Sequence, residues 1–180
     1  MTRHEHTFVL GGCKSGKSRY AQKLAESLTP GRRLYLATCV PLDQEMRDRV
    51  RRHQDDRDRT WFTVETPLDI AEIIRQKSSD HGVILLDCLT LWVTNMIMED
   101  MEQPHILEKT RELCGEIKQA GCPVVAVSNE VGAGIVPENK LARMFRDVQG
   151  IVNQIVASEL DRVVVTFAGI PMTLKGKAAM

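Results

Sequence analysis

The sequence predicts an α/β fold, a mostly parallel sheet flanked by helices, on two observations. Short apolar runs of strand length alternate with longer segments of helical period along all 180 residues, and such alternation builds parallel sheets covered by helices. The first of these runs leads through a glycine-rich turn straight into a helix, as it does at the first βα junction of many such sheets. No internal repeat or low-complexity tract divides the chain, and 180 residues suit a single domain spanning 1–180.

Phe8-Val9-Leu10 reads as a buried strand ending at Gly11-Gly12. Lys17 to Leu28 follows as a helix stopped by Pro30-Gly31, and Leu34 to Ala37 is the second strand. Leu42, Met46 and Val50 recur every four residues, which predicts a helix from Leu42 to His53. Gln54 to Arg59 is a loop of alternating charge. Trp61 to Glu65 is an edge strand or one arm of a small hairpin. Thr66-Pro67 is expected to open a helix, with Pro at its first position. Val83 to Leu86 is a buried strand ending at Asp87. Leu91 to Met98 and His105 to Gln119 are helical in period, and Val124 to Val127 is a further buried strand. Pro137 is expected to start the longest helix, which carries Leu141, Phe145, Val148, Val152 and Ile155. Val163 to Phe167 is the last strand, and the tail from Met172 reads as short, basic and frayed.

Composition narrows the partners. Lys and Arg number 24 and Asp and Glu number 24, so the formal net charge is zero and neither nucleic acid nor an anionic membrane is indicated. No apolar run reaches the length of a membrane span. The five cysteines are odd in number and lack C-x-x-C spacing, which fits reduced thiols in the cytoplasm better than a disulfide framework or a zinc site. Met1 to Thr7 carries no secretory apolar core.

Gly11-Gly12-Cys13-Lys14-Ser15-Gly16-Lys17-Ser18 satisfies the pattern G-x-x-x-x-G-K-[ST] at every position. It lies between a buried strand and a helix, the context the pattern requires. Glycines let successive backbone N–H groups turn inward around a phosphate, and the helix adds its positive end. Lys17 is placed to neutralise the β- and γ-phosphates and the Ser18 hydroxyl to ligate Mg²⁺. The fold class sharpens accordingly to P-loop NTPase-like, with ATP or GTP as substrate. Cys13, inside the loop, reads as a small buried filler.

Asp87 ends a buried strand, where P-loop folds place a carboxylate for Mg²⁺. Its other reading is a cap for the following helix. A switch GTPase is excluded, since Asp87-Cys88-Leu89-Thr90 is not D-x-x-G and Ser128-Asn129-Glu130-Val131 is not N-K-x-D.

His53 extends the Leu42, Met46, Val50 stripe and should share its inward face. By spacing alone, a solvated charged helix with a histidine near its C-terminus is the better explanation. The motif set carries more. Gly11-Gly12-x-x-Ser15-Gly16-Lys17-Ser18-Arg19, Tyr35-Leu36-Ala37-Thr38, Asp43-x-Glu45-Met46-x-x-Arg49 and His53 are followed by Leu86-Asp87-Cys88-Leu89-Thr90-Leu91-Trp92-Val93-Thr94-Asn95. Next come Ser128-Asn129-Glu130-Val131-Gly132-x-Gly134-Ile135-Val136-Pro137-Glu138-Asn139 and Leu141-Ala142-Arg143-x-Phe145-Arg146-Asp147. From about Phe8 onward this pattern resembles the adenosylcobinamide kinase / adenosylcobinamide-phosphate guanylyltransferase family of cobalamin assembly.

The resemblance implies two reactions on one P-loop protein. A nucleoside triphosphate phosphorylates the aminopropanol hydroxyl of adenosylcobinamide. GTP then guanylylates a histidine, and the GMP passes to the cobinamide phosphate to give adenosylcobinamide-GDP. The histidine matching that role is His53; this chain reads Arg52-His53 where some members carry two histidines. Thr38, Glu65 and Asp87 would join Gly11, Gly12, Cys13, Lys14, Ser15, Gly16, Lys17 and Ser18 in the nucleotide site. Asn129, Glu130 and the loop from Gly132 to Asn139 would line the active site or an intersubunit cleft, and the implied assembly is a homo-oligomer, a trimer. The chemistry suits an imidazole, which is neutral and nucleophilic above its ordinary pKa of about 6.5. The alternative is a kinase-only P-loop enzyme in which His53 is structural.

Overall fold

A computed structural model of the chain describes residues 4–40 and 58–177. The expected helix from Leu42 to His53, most of the loop after it and the last three residues lie outside the described residues.

Among the described residues, seven strands form one sheet in the order β3-β2-β4-β5-β1-β6-β7. They are β1 (Thr7–Gly11), β2 (Arg33–Ala37), β3 (Trp61–Glu65), β4 (Val83–Asp87), β5 (Val124–Asn129), β6 (Arg162–Phe167) and β7 (Ile170–Lys175). All neighbours are parallel except β6 and β7. The helices are α1 (Lys17–Leu28), α2 (Ile70–Lys77), α3 (Leu89–Met98), α4 (Gln103–Gln119) and α5 (Lys140–Glu159). None of them is long and apolar enough to cross a membrane.

Each central strand is apolar on both faces because helices cover both. Val9, Leu85, Val125 and Val127 pack with Ala21 and Ala25 of α1, whose small side chains let the helix approach closely. Phe8, Leu34, Leu36, Ile84, Leu86, Val124 and Ala126 pack on the opposite face against α2 to α5, with Ile74, Trp92, Leu113 and Val152 at the centre. Among the described residues, Trp61 to Glu65 is an edge strand, parallel to β2, and forms no hairpin.

Three expectations are corrected. The helix after β3 begins at Ile70, not at Pro67. Thr66 Oγ1 accepts from Asp69 N–H at 3.1 Å, closing a turn first. The carbonyls of Pro67 and Leu68 are taken by Asn95 Nδ2 (3.0 Å) and Trp92 Nε1 (2.8 Å) of α3. The longest helix begins at Lys140, not at Pro137. Asn139 caps it by accepting from Ala142 N–H at 3.1 Å, while Arg143 Nη1 holds the Pro137 carbonyl at 3.0 Å.

The tail from Met172 to Lys175 is not frayed. It belongs to β7, which returns along β6 through a two-residue turn at Ala168 (φ 50°) and Gly169 (φ 81°). Lys175 Nζ then donates to the carbonyls of Ala157 (3.0 Å), Ser158 (2.7 Å) and Leu160 (2.7 Å). An ammonium on the last carbonyls of α5 also meets the negative end of its dipole.

Candidate nucleotide site

The loop from Gly12 to Gly16 joins β1 to α1 and is braced from within and from outside. Ser15 N–H donates to Gly12 O at 3.2 Å, and Lys17 Nζ folds back over the loop to the same carbonyl at 3.2 Å. Lys14 (φ 54°) and Gly16 (φ 93°) both adopt left-handed backbone. The external brace is the β6–β7 hairpin. Ser15 Oγ pairs with Thr166 Oγ1 at 2.8 Å in a buried contact, and Gly169 N–H donates to Ser15 O at 2.9 Å. The Ser15 side chain is thus committed to structure, while its main chain shapes the loop.

At the mouth, Gly16 precedes α1 without any side-chain cap, and no acidic residue occupies the first turn. The first-turn N–H groups have no intrahelical partners by geometry, so this end of α1 suits an anion. Lys17 and Ser18 are half-buried there, and Lys14 is exposed. Cys13 is exposed too, which corrects its reading as a buried filler. The loop presents its side chain to solvent because the interior of the turn is filled by Ser15.

Gly11 has a steric requirement. A Cβ added there would stand 2.3 Å from Ser15 Oγ and 2.4 Å from Thr166 Oγ1. Gly11→Ala is therefore expected to destabilise the fold by about 1–3 kcal/mol, the usual range for overpacking, and to weaken nucleotide binding with it. Thermal unfolding and nucleotide titration measure the two effects; wild-type values for both would show that the loop does not depend on this contact.

Register places the remaining candidates. Gly11 pairs with Asn129, Val127 with Asp87, Asp87 with Ala37, and Ala37 with Glu65. In-register residues point to one face and successive residues alternate. Asp87 and Glu65 therefore follow the face that carries α1, at the same carboxyl edge as the Gly11 loop. One strand, β5, separates β4 from β1, so the two strand ends lie about 10 Å apart.

Glu65 is exposed at its strand end. Asp87 is half-buried, and its Oδ2 accepts from Tyr35 Oη at 3.1 Å. It does not cap the next helix: Cys88 occupies that position and no side-chain cap is formed. Burial, reinforced by the Asp87 charge, pushes the Cys88 thiol up to about 12, so this cysteine is an inert neighbour.

Thr38 is fully buried. Its hydroxyl donates to Cys88 O (2.8 Å) and accepts from Cys88 N–H (2.9 Å). The structure thus commits the Thr38 side chain to the backbone beside Asp87 rather than turning it to the loop. His53 lies outside the described residues.

Composition and motif spacing do not single out the braces. Thr166 of β6 and Gly169 of the β6–β7 turn touch Ser15, and Tyr35 of β2 touches Asp87, each from far along the chain. A buried network also stands behind β5, where Ser128 Oγ donates to Asn153 Oδ1 (2.8 Å) and accepts from Gln149 Nε2 (3.0 Å). Asn153 Nδ2 in turn donates to Asn129 O at 3.0 Å. A polar residue spaced among the apolar positions of α5 was the available signal.

A parallel sheet, a glycine-rich loop opening α1 and a carboxylate at a second strand end define a P-loop nucleotide-binding protein. The chain belongs to the cobinamide kinase / cobinamide phosphate guanyltransferase family, whose model matches residues 7–174. It is 39% identical over 172 residues to "Bifunctional adenosylcobalamin biosynthesis protein CobP" of Pseudomonas aeruginosa, covering 94% of this chain and 96% of the relative. It is 40% identical over 179 residues to "Bifunctional adenosylcobalamin biosynthesis protein CobU" of Salmonella typhimurium, covering 93% and 98%. Among solved structures, the flagellar accessory protein FlaH of Methanocaldococcus jannaschii aligns with a TM-score of 0.56 at 12% identity, over 97% of this chain and 80% of that one. That likeness is one of fold.

Proposed function

We propose that this protein phosphorylates adenosylcobinamide and then converts the phosphate to adenosylcobinamide-GDP, as a single nucleotide-binding domain acting in the cytoplasm. Family membership over nearly the whole chain supports both activities. The observation that carries the reading is the uncapped Walker loop at the carboxyl end of the interior strand β1, with Asp87 following the α1 face at the carboxyl end of β4.

In the first reaction the substrate hydroxyl attacks the γ-phosphorus of ATP or GTP, and the nucleoside diphosphate leaves. Lys17 and the loop N–H groups meet the charge that develops on the phosphate oxygens. Gly11, Gly12, Cys13, Lys14, Ser15 and Gly16 contribute through the backbone they shape. In the second reaction an imidazole nitrogen of His53 attacks the α-phosphorus of GTP. The α–β bridge breaks and pyrophosphate departs. A phosphate oxygen of the cobinamide phosphate then displaces His53 and takes the GMP.

Mg²⁺ fits the oxygen donors present. No group of three or more His, Cys, Asp or Glu side chains gathers among the described residues, and Mg²⁺ at nucleotides needs only one or two protein oxygens beside phosphate and water. Ser18 and Asp87 are the proposed pair, and the cation would neutralise phosphate charge. Thr38 joins the site through its hold on the Asp87 backbone, and Glu65 through its place at the same edge.

The proposed assembly is a homo-oligomer, a trimer. The hairpin that braces the Walker loop leaves Phe167 and Ile170 71% and 65% exposed, and Met172 and Leu174 are exposed beside them. Such an apolar patch is unusual on a free surface. Sedimentation equilibrium is expected to give three times the chain mass, and Ile170→Asp to shift it toward monomer; a monomeric wild type removes the assembly reading. For the activities themselves, incubation with α-labelled GTP should yield one labelled site, mapping to His53, whose label is chased by cobinamide phosphate. Absence of any covalent label in active kinase would leave the kinase alone standing.

A further inference from the structure

We propose that Tyr35 is the positioning residue for the Asp87 carboxylate, its phenol holding Oδ2 so that the other oxygen is presented to a divalent cation. This rests on the metal role proposed for Asp87. The observation is the hydrogen bond from Tyr35 Oη to Asp87 Oδ2 at 3.1 Å, formed across two adjacent strands. Tyr35 pairs in register with Leu85, and Asp87 is two residues further along the same face of β4. That diagonal is within reach of an aromatic side chain and of few others.

The phenol is itself held. Its ring meets Trp61 edge-on, with centroids 6.3 Å apart and planes at 76°, and Trp61 is buried at the start of β3. Tyr35 also packs in the cluster formed with Ala21 and Ala25 of α1. Thus a strand, an aromatic neighbour and the Walker helix all fix the position of one hydroxyl.

The main chain around Asp87 is clamped by Thr38, the residue that follows β2. Thr38 N–H donates to Asp87 O at 3.3 Å, and the buried Thr38 hydroxyl bridges the N–H and C=O of Cys88. Asn95 Nδ2 anchors the Thr38 carbonyl at 2.8 Å. The end of β2 therefore governs Asp87 at its side chain and at its backbone.

The choice of a phenol has a physical reason. Mg²⁺ demands near-ideal octahedral geometry and tolerates little misorientation of its ligands. A carboxylate that must be ordered at the moment of binding loses rotamer freedom then. An Arg or Lys partner would order it too, but would also oppose the charge that attracts the cation. A neutral O–H orders the group and engages one of about four acceptor positions, leaving the rest open.

The test compares Tyr35→Phe, Asp87→Asn and wild type as full chains, titrating Mg²⁺ in GTP binding and in turnover. Tyr35→Phe keeps the ring and its Trp61 contact and removes only the hydroxyl. It is expected to raise the half-saturating Mg²⁺ concentration about two- to tenfold, the value of one hydrogen bond. Turnover should climb back toward wild type as Mg²⁺ is raised. Asp87→Asn should shift the Mg²⁺ requirement further, with no such recovery.

If Asp87→Asn is shifted and Tyr35→Phe titrates like wild type, the positioning role is overturned while the metal role of Asp87 stands. A Tyr35→Phe protein that is impaired equally at every Mg²⁺ concentration also overturns it, since that is what a general packing defect produces. An unchanged Mg²⁺ requirement in Asp87→Asn removes the metal role and the inference with it.

Discussion

Lys17→Ala should abolish phosphoryl and guanylyl transfer together. Lys17 opens α1, and its ammonium lies over the loop, 3.2 Å from the Gly12 carbonyl. That single contact is local and leaves the core untouched, so folding should survive. In both reactions charge accumulates on phosphate oxygens in the transition state, and one preorganised donor aimed at such charge is worth about 10²–10³ in rate. Losing the ammonium also weakens triphosphate binding, so the combined fall in kcat/KM should exceed that range. The measurement is kcat/KM for each reaction beside a thermal unfolding curve. Near-normal activity of either kind in a folded Lys17→Ala protein would show that the Walker loop does not hold the reacting triphosphate for it.

The loop was legible because its rules are local. Glycine at fixed offsets, a lysine and a hydroxyl at the first turn and a buried run before them all lie within a dozen residues. The start of α1 at Lys17 and its end at Leu28 follow from the same local signals. The strand cores were legible for a similar reason, since a run such as Val83 to Leu86 is apolar at every position and is buried at every position.

What remained hidden depends on contacts across the sheet. β7 carries Pro171, which argues against a strand anywhere but an edge, and its turn is Ala168-Gly169 rather than the usual Asn-Gly or Asp-Gly. Its strand character comes from pairing with β6, not from its own pattern. The helices after β3 and β5 start later than Pro67 and Pro137 suggest, although both prolines resemble first-turn residues. Their carbonyls are instead held by Asn95 and Arg143 from helices further along the chain.

The same distinction runs through the site. Asp87 could be singled out as an acid ending a buried strand. Its partner Tyr35 is 52 residues earlier, and only the register of β2 on β4 brings them together. Thr38 belongs to the matching motif, yet a motif does not say whether a hydroxyl meets a ligand or a neighbouring peptide group. Burial on the inner side of the Asp87–Cys88 segment decides that. Gln149 and Asn153 sit among the buried apolar residues of α5. They are buried beside β5, where Gln149 Nε2 donates to Ser128 Oγ, Asn153 Oδ1 accepts from Ser128 Oγ and Asn153 Nδ2 donates to the Asn129 carbonyl.

His53→Ala separates the two chemistries and should eliminate guanylyl transfer outright. The covalent step needs a nitrogen lone pair at the α-phosphorus, and Ala supplies none. No other histidine lies within the motif segment from Asp43 to Arg57. The loss should therefore reach the detection limit, as expected when a nucleophile is removed rather than misplaced. Phosphorylation should persist, because Gly11 to Ser18 and Asp87 are unchanged and that reaction passes no group through the imidazole. The pH dependence supplies a second readout on the unmodified protein. Protonation occupies the attacking lone pair, so adduct formation should fall as pH drops through the imidazole pKa, with no matching fall required of the kinase step. Labelled adduct at a single site in His53→Ala would place the nucleophile elsewhere. Simultaneous loss of both activities in a folded variant would instead make His53 part of the shared nucleotide site.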